Sequence, residues 1–133
     1  MDYAWRGEFT NVEVNALHAE AFGTRVYDES EWDWRELTDR HSLGWVTARE
    51  GEQLLGFVNV LWDGLVHAWL QDTMVAAEAR HRGVGQGVVE RAVEGARAAG
   101  CEHLHVDFDE HLAPFYLGAL GFRRTSAGLL DLG

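Results

Sequence analysis

The sequence predicts an α+β fold: a mixed central sheet, made of an antiparallel meander and one parallel pair, flanked by helices. Three observations predict it. Apolar residues recur at helical spacing up to about residue 40, switch to strand-like runs between residues 44 and 76, and return to helical spacing after Gly83. The Asp63-Gly64 dipeptide between two apolar runs signals a tight hairpin. A helical segment then separates two strand-like segments, and a crossover through a helix makes such strands parallel. A length of 133 residues suits one domain, spanning 1–133.

Taken in order, Met1–Arg6 is expected to be a first strand. Val12, Ala16, Leu17 and Ala19–Phe22 share one helical face, with Thr10 or Asn11 as the cap and Gly23 as the stop. Ser30 is expected to cap a second helix through Arg40, with Trp34 and Leu37 inward. Gly44–Arg49, Leu54–Trp62 and Val66–Ala76 form the meander. Val88, Val89, Ala92, Val93, Ala96 and Ala99 make the inner face of the next helix, stopped by Gly100. His103–Asp107 is the parallel strand, and Leu112–Leu120 a last helix that tolerates Pro114 in its first turn. Short strands at Phe122–Arg124 and Gly128–Leu132 are expected to close the chain.

Composition narrows the function. Hydrophobic content of 47% with 25% charged residues is that of a globular protein. A net charge of −11 argues against nucleic acid, whose phosphates call for basic stripes. The longest uncharged runs are too short to cross a bilayer, and residues 1–20 lack a secretory pattern. The single cysteine, Cys101, cannot form an internal disulfide, which fits a reducing cytoplasm. Against this acidic background Arg80-His81-Arg82 stand together before a run of glycines. That local reversal of sign marks a site for a small anion.

The segment from Val75 to Gly87 runs from a strand into a helix. Glycines at 83, 85 and 87 let the backbone approach a ligand and aim successive N–H groups at one point. The helix start adds its dipole, and Arg80 and Arg82 add full charges. A pyrophosphate suits such a loop. The dinucleotide fingerprint fails because Val88 stands three residues beyond Gly85, and the P-loop fails for want of a lysine.

Arg80-x-x-Gly83-x-Gly85 resembles the Gln/Arg-x-x-Gly-x-Gly/Ala signature of the GNAT-superfamily N-acetyltransferases. The likeness extends over Asp72–Val75 before the loop and Val88–Glu90 after it. Ala113-x-Phe115-Tyr116-x-x-x-x-Gly121-Phe122 is similar to the family's closing segment with slightly altered spacing. The resemblance implies that acetyl-CoA is the co-substrate and that no metal is needed. Its pyrophosphate is expected on the backbone of Arg82, Gly83, Val84, Gly85 and Gln86, with Arg80 and His81 beside it. The pantetheine arm is expected to pair with Met74 and Val75 as an added strand, the Val75 amide facing the thioester carbonyl.

By the same resemblance Tyr116 hands a proton to the departing thiolate; the alternative is a core tyrosine beside Phe115. Where relatives carry a glutamate this chain has Gln71, which leaves Asp72 as first candidate for general base, His67 as second and a water chain as third. Relatives carry an asparagine at the position of Glu110. His103, His105 and Asp107 share a strand face, but no second cluster at ligand spacing accompanies them. The tryptophans are expected in the core, except that Trp32 or Trp34 is expected to line an acceptor pocket or a contact in a homodimer.

The expected reaction moves an acetyl group to a primary amine by direct attack in a ternary complex, since no Cys or Ser nucleophile with a His partner stands in the motif. Acidity favours a cationic acceptor: a polyamine, an aminoglycoside or a lysine side chain of a protein. The rival readings are a non-catalytic acyl-CoA sensor and a nucleotide-binding domain.

Overall fold

A computed structural model describes all residues, 1–133. The elements are β1 (Asp2–Trp5), α1 (Asn11–Phe22), α2 (Trp34–His41), β2 (Ser42–Glu50), β3 (Gln53–Trp62), β4 (His67–Val75), α3 (Val84–Ala98) and β5 (His103–Val106). The sheet order is β1-β2-β3-β4-β5, with β1 to β4 antiparallel and β4–β5 parallel. This is the expected α+β arrangement of a mixed sheet flanked by helices.

Local chemistry sets the helix ends. The Thr10 side chain accepts from the Glu13 N–H while the Glu13 carboxylate accepts from the Thr10 N–H, closing a capping box. Gly23 ends α1 in a left-handed conformation at φ 68°. The second helix begins later than Ser30. Its cap is Asp33, which accepts from the Glu36 N–H at 3.0 Å. Ser30 instead serves an upstream turn, its hydroxyl donating to Asp28 Oδ1 at 2.5 Å. Asp28 competes for Ser30, and Asp33 stands at the right offset from the helix.

The sheet is covered on both faces. α3 packs against Tyr3, Trp5 and Gly56, so close that a Cβ on Gly87 would lie 2.4 Å from the Tyr3 ring. On the other face Phe57 meets Phe9 and Trp34 edge-on, at centroid distances of 5.3 and 6.1 Å. Trp34 is wholly buried and donates its indole N–H to Asn15 Oδ1 at 2.8 Å. Of α3's expected inner face, Val88, Val89, Ala92 and Ala96 are buried, whereas Val93 is half-buried and Ala99, at the frayed end, is exposed.

The chain's end departs from expectation. In place of a helix over Leu112–Leu120 there is a 3-10 turn (Glu110–Leu112) and then a π-helical turn (Pro114–Ala119). Leu120 N–H bonds back five residues to Phe115 O, and Gly121, at φ 77°, ends the turn. No strand forms at Phe122–Arg124 or Gly128–Leu132. A strand needs a partner edge, and a cleft of about 490 Å³ separates the short β5 from this segment, so the ladder never closes.

Candidate functional site

The parallel pair is the key to the site. Its register covers only His67–Leu70 against His103–Val106, yet β4 continues to Val75. From Gln71 to Val75 the strand pairs with β3 on one side and has no strand on the other. At about 3.3 Å per residue this leaves roughly 16 Å of open edge.

Within that stretch β4 carries a bulge. Phe57 faces Met74 and Asn59 faces Gln71, so Asp72 and Thr73 together oppose Val58. Asp72 lies at φ 58°, a left-handed conformation that Asp tolerates better than most residues. Three polar residues in a row, Gln71-Asp72-Thr73, interrupt an otherwise apolar strand and are the signal by which this bulge could have been anticipated.

The π-helical turn brings Tyr116 to the bulge. Its hydroxyl donates to Thr73 Oγ1 at 3.3 Å, and its ring is 5% exposed, stacked on Phe108 at 5.1 Å and edge-on to Phe115 at 4.8 Å. Burial pushes the phenol above its ordinary value and the Thr73 contact opposes this, so Tyr116 keeps its proton at neutral pH. Burial likewise raises the half-buried Asp72 carboxyl, while the charge of His18 on α1 acts to lower it. Thr73, Phe108 and His18 were not singled out from the sequence.

At the far end of the open edge sits the start of α3. Gly83 caps it in the left-handed region, at φ 78°, and no side chain bonds the first amides of the helix. A Cβ on Gly85 would touch Phe115 at 3.4 Å and Val75 at 3.6 Å, which sets this glycine against both β4 and the π-helical turn. Val84 is buried against Gly56, and Met74 is wholly buried. His81, at φ 63°, shapes the turn before the helix. The Gln86 side chain donates to Glu90 at 2.7 Å.

The structure thus places Asp72, Met74 and Val75 on the stretch of β4 that β5 leaves unpaired, with Tyr116 against Thr73 of that stretch. Gly83, Val84, Gly85 and Gln86 stand at the start of α3, and Met74 and Val84 are buried in the core. The two arginines stand differently. Arg80 is exposed, whereas Arg82 donates to Glu50 at 2.6 Å on the turn after β2. Gly87 belongs to the packing of α3 on Tyr3 and not to the ligand loop. His67 lies at the opposite end of β4, its Nδ1 2.8 Å from His105 Nε2, and is not brought to the bulge. It stacks with His103 and His105, but no group of three such side chains is arranged to hold a metal ion. Glu110 is ion-paired with Arg124 at 3.0 Å. No helix is long and apolar enough to cross a membrane.

Residues 10–122 match the family model of the acetyltransferase (GNAT) family. Among curated protein sequences none matches the chain. Solved structures share its fold. A Trypanosoma brucei acetyltransferase superposes with a TM-score of 0.77 at 20% identity, over 98% of this chain and 100% of that one. A Bacillus halodurans transcriptional regulator gives 0.81 at 19%, over 99% and 100%. AAC(6')-Iy, in complex with the bisubstrate analog CoA-S-monomethyl-acetylneamine, gives 0.77 at 17%, over 99% and 97%.

Proposed function

Because the chain belongs to the GNAT family of acetyltransferases, we propose that it moves an acetyl group from acetyl-CoA to a primary amine by direct attack within a ternary complex. The observation that carries this reading is the open edge of β4 ending at the uncapped start of α3. An extended, amide-bearing arm can add to the edge while its pyrophosphate meets the helix amides. The Gly83–Gln86 backbone would hold the pyrophosphate, assisted by Arg80, His81 and Arg82. Met74 and Val75 would hold the arm, with the Val75 N–H aimed at the oxygen where negative charge develops.

The amine nitrogen forms the new N–C bond, the C–S bond breaks, and its electron pair goes to sulfur. Tyr116 supplies the proton that converts this thiolate to the thiol, and the second proton, which the acylated nitrogen sheds as it becomes the neutral amide, restores the phenol. Asp72 takes the proton that the acceptor's ammonium must lose before attack. The net acidity of the chain supports a cationic acceptor.

The test is Tyr116→Phe, which keeps the ring against Phe108 and Phe115. Turnover with a panel of amines should fall by about 10²-fold while acetyl-CoA affinity stays unchanged. Equal turnover in parent and variant removes Tyr116 from the mechanism. The second reading, a non-catalytic acyl-CoA sensor, draws on Gln71 and on the engagement of Glu110 with Arg124. It prevails if the parent binds acetyl-CoA tightly and acetylates no amine.

A further inference from the structure

Two buried side-chain nitrogens find no partner, His18 Nδ1 and Asn59 Nδ2, whereas the buried phenol of Tyr116 has a single one. That partner is Thr73 Oγ1, at 3.3 Å. Around the rest of the ring stand Phe108, Phe115 and Phe122, at centroid distances of 5.1, 4.8 and 6.0 Å. None of these three carries a hydrogen-bonding side-chain group.

The bulge of β4 is what aims Thr73 at the phenol. Gln71 opposes Asn59 and Met74 opposes Phe57, and Asn59 and Phe57 share one side of β3, so Gln71 and Met74 share that side as well. They are three residues apart, an odd spacing that only the extra residue of the bulge allows. Thr73 therefore lies on the side of Val75, which faces Gly85 at the start of α3. In an unbulged strand it would share the side of Gln71 and turn away from Tyr116.

Proton transfer inverts what the phenol needs from this contact. In the free protein the phenol donates and Thr73 accepts. Once its proton has gone to sulfur, the phenol oxygen is an anion among aromatic rings, a state that burial disfavours. A threonine hydroxyl turns about its C–O bond and serves as acceptor or donor.

We infer that Thr73 is a positioning residue for Tyr116, its hydroxyl orienting the phenol before proton transfer and donating to the phenolate oxygen after it. This rests on the acetyl-transfer reading and deepens it. The phenol O–H bond breaks, its electron pair stays on the phenolate oxygen, and the proton forms the S–H bond of the thiol. The Thr73 hydroxyl hydrogen-bonds that oxygen and keeps its own proton. When the proton shed by the acylated nitrogen restores the phenol, Tyr116 donates to Thr73 again.

The experiment compares Thr73→Val, which keeps the branched shape without the hydroxyl, with Thr73→Ser, which keeps the hydroxyl. Turnover with spermidine, kanamycin and a lysyl peptide should fall about tenfold in Thr73→Val at unchanged acetyl-CoA affinity, and Thr73→Ser should retain most of it. Repeated in the Tyr116→Phe background, Thr73→Val should cost nothing further, because the group it acts through is gone. Ring-carbon NMR of the free protein, with the signal assigned by Tyr116→Phe, should show the phenol titrating higher in Thr73→Val than in the parent. Thr73→Ala takes the place of Thr73→Val if valine distorts the bulge. Equal turnover in parent and Thr73→Val overturns the inference, and so does an unmoved phenol titration. A loss of the same size in both backgrounds makes Thr73 merely structural and overturns it too. If the phenol titration shifts but the parent acetylates none of the three amines, the acetyl-transfer reading is what fails, and the role of Thr73 falls with it.

Discussion

Asp72 combines two features that cost stability: a left-handed backbone and a carboxyl raised by burial. A carboxyl with a raised folded-state pKa holds its proton more tightly folded than unfolded. Its favourable contribution is therefore present below the ordinary carboxylate value and lost as pH climbs through the raised one. Asp72→Asn tolerates the same backbone and carries no charge. It should melt a few degrees above the parent at pH 7 and show no such gain near pH 3, while turnover falls about 10²-fold. Thermal melts across pH check the first part. Arg82 offers a second residue-scale test, because Glu50 holds it before any ligand arrives. Glu50→Gln should free the guanidinium and tighten coenzyme A binding about two- to fivefold, an exposed pair being worth under about 1 kcal/mol. Calorimetry at low salt reads it, and weaker binding would place Arg82 outside the site.

At the scale of elements, one glycine motif serves two purposes. Gly85 faces Val75 and Phe115 at ordinary contact distance, so Gly85→Ala should fold normally. The signature itself admits alanine there, so it is the bulkier Gly85→Val that should fill the space between β4 and the helix start and lower coenzyme A affinity by about tenfold or more. Gly87 is a turn's half away in sequence but faces the sheet, where an added Cβ would sit 2.4 Å from Tyr3. Gly87→Ala should therefore destabilise by about 1–3 kcal/mol through overpacking. Its coenzyme A affinity should be little changed when measured below the melt. Denaturant unfolding and calorimetry on both variants separate the roles, and a reversed pattern would reassign the loop.

For the whole molecule, the gap between β4 and β5 is a place where the sheet gives up its own hydrogen bonds. A ligand that restores them binds the folded state only. At 100 times its dissociation constant coenzyme A should add about 2.7 kcal/mol to stability and raise the melting temperature accordingly. NAD and ATP, which lack the pantetheine arm, should shift it far less. An equal shift with all three would return the nucleotide-binding reading.

How far the sequence alone reached follows from the range of the forces involved. A cap at Thr10 or Asn11, the Gly23 stop, the Asp63-Gly64 hairpin and the period of α3 are settled by neighbours within a few residues, and each was legible; which of the two caps acts, and the box it closes with Glu13, came with the structure. The glycines and arginines before α3 were legible as an anion loop for the same reason. The bulge at Asp72, the contact of Tyr116 with Thr73 and the unpaired His18 nitrogen depend on segments tens of residues apart. The failed closing strands belong with these, since Phe122–Arg124 and Gly128–Leu132 carry strand-like residues but meet no edge. Local propensity can propose a strand or an arginine contact. Only packing decides whether β4 keeps a partner, whether Arg82 turns to Glu50, and which glycine faces the ligand.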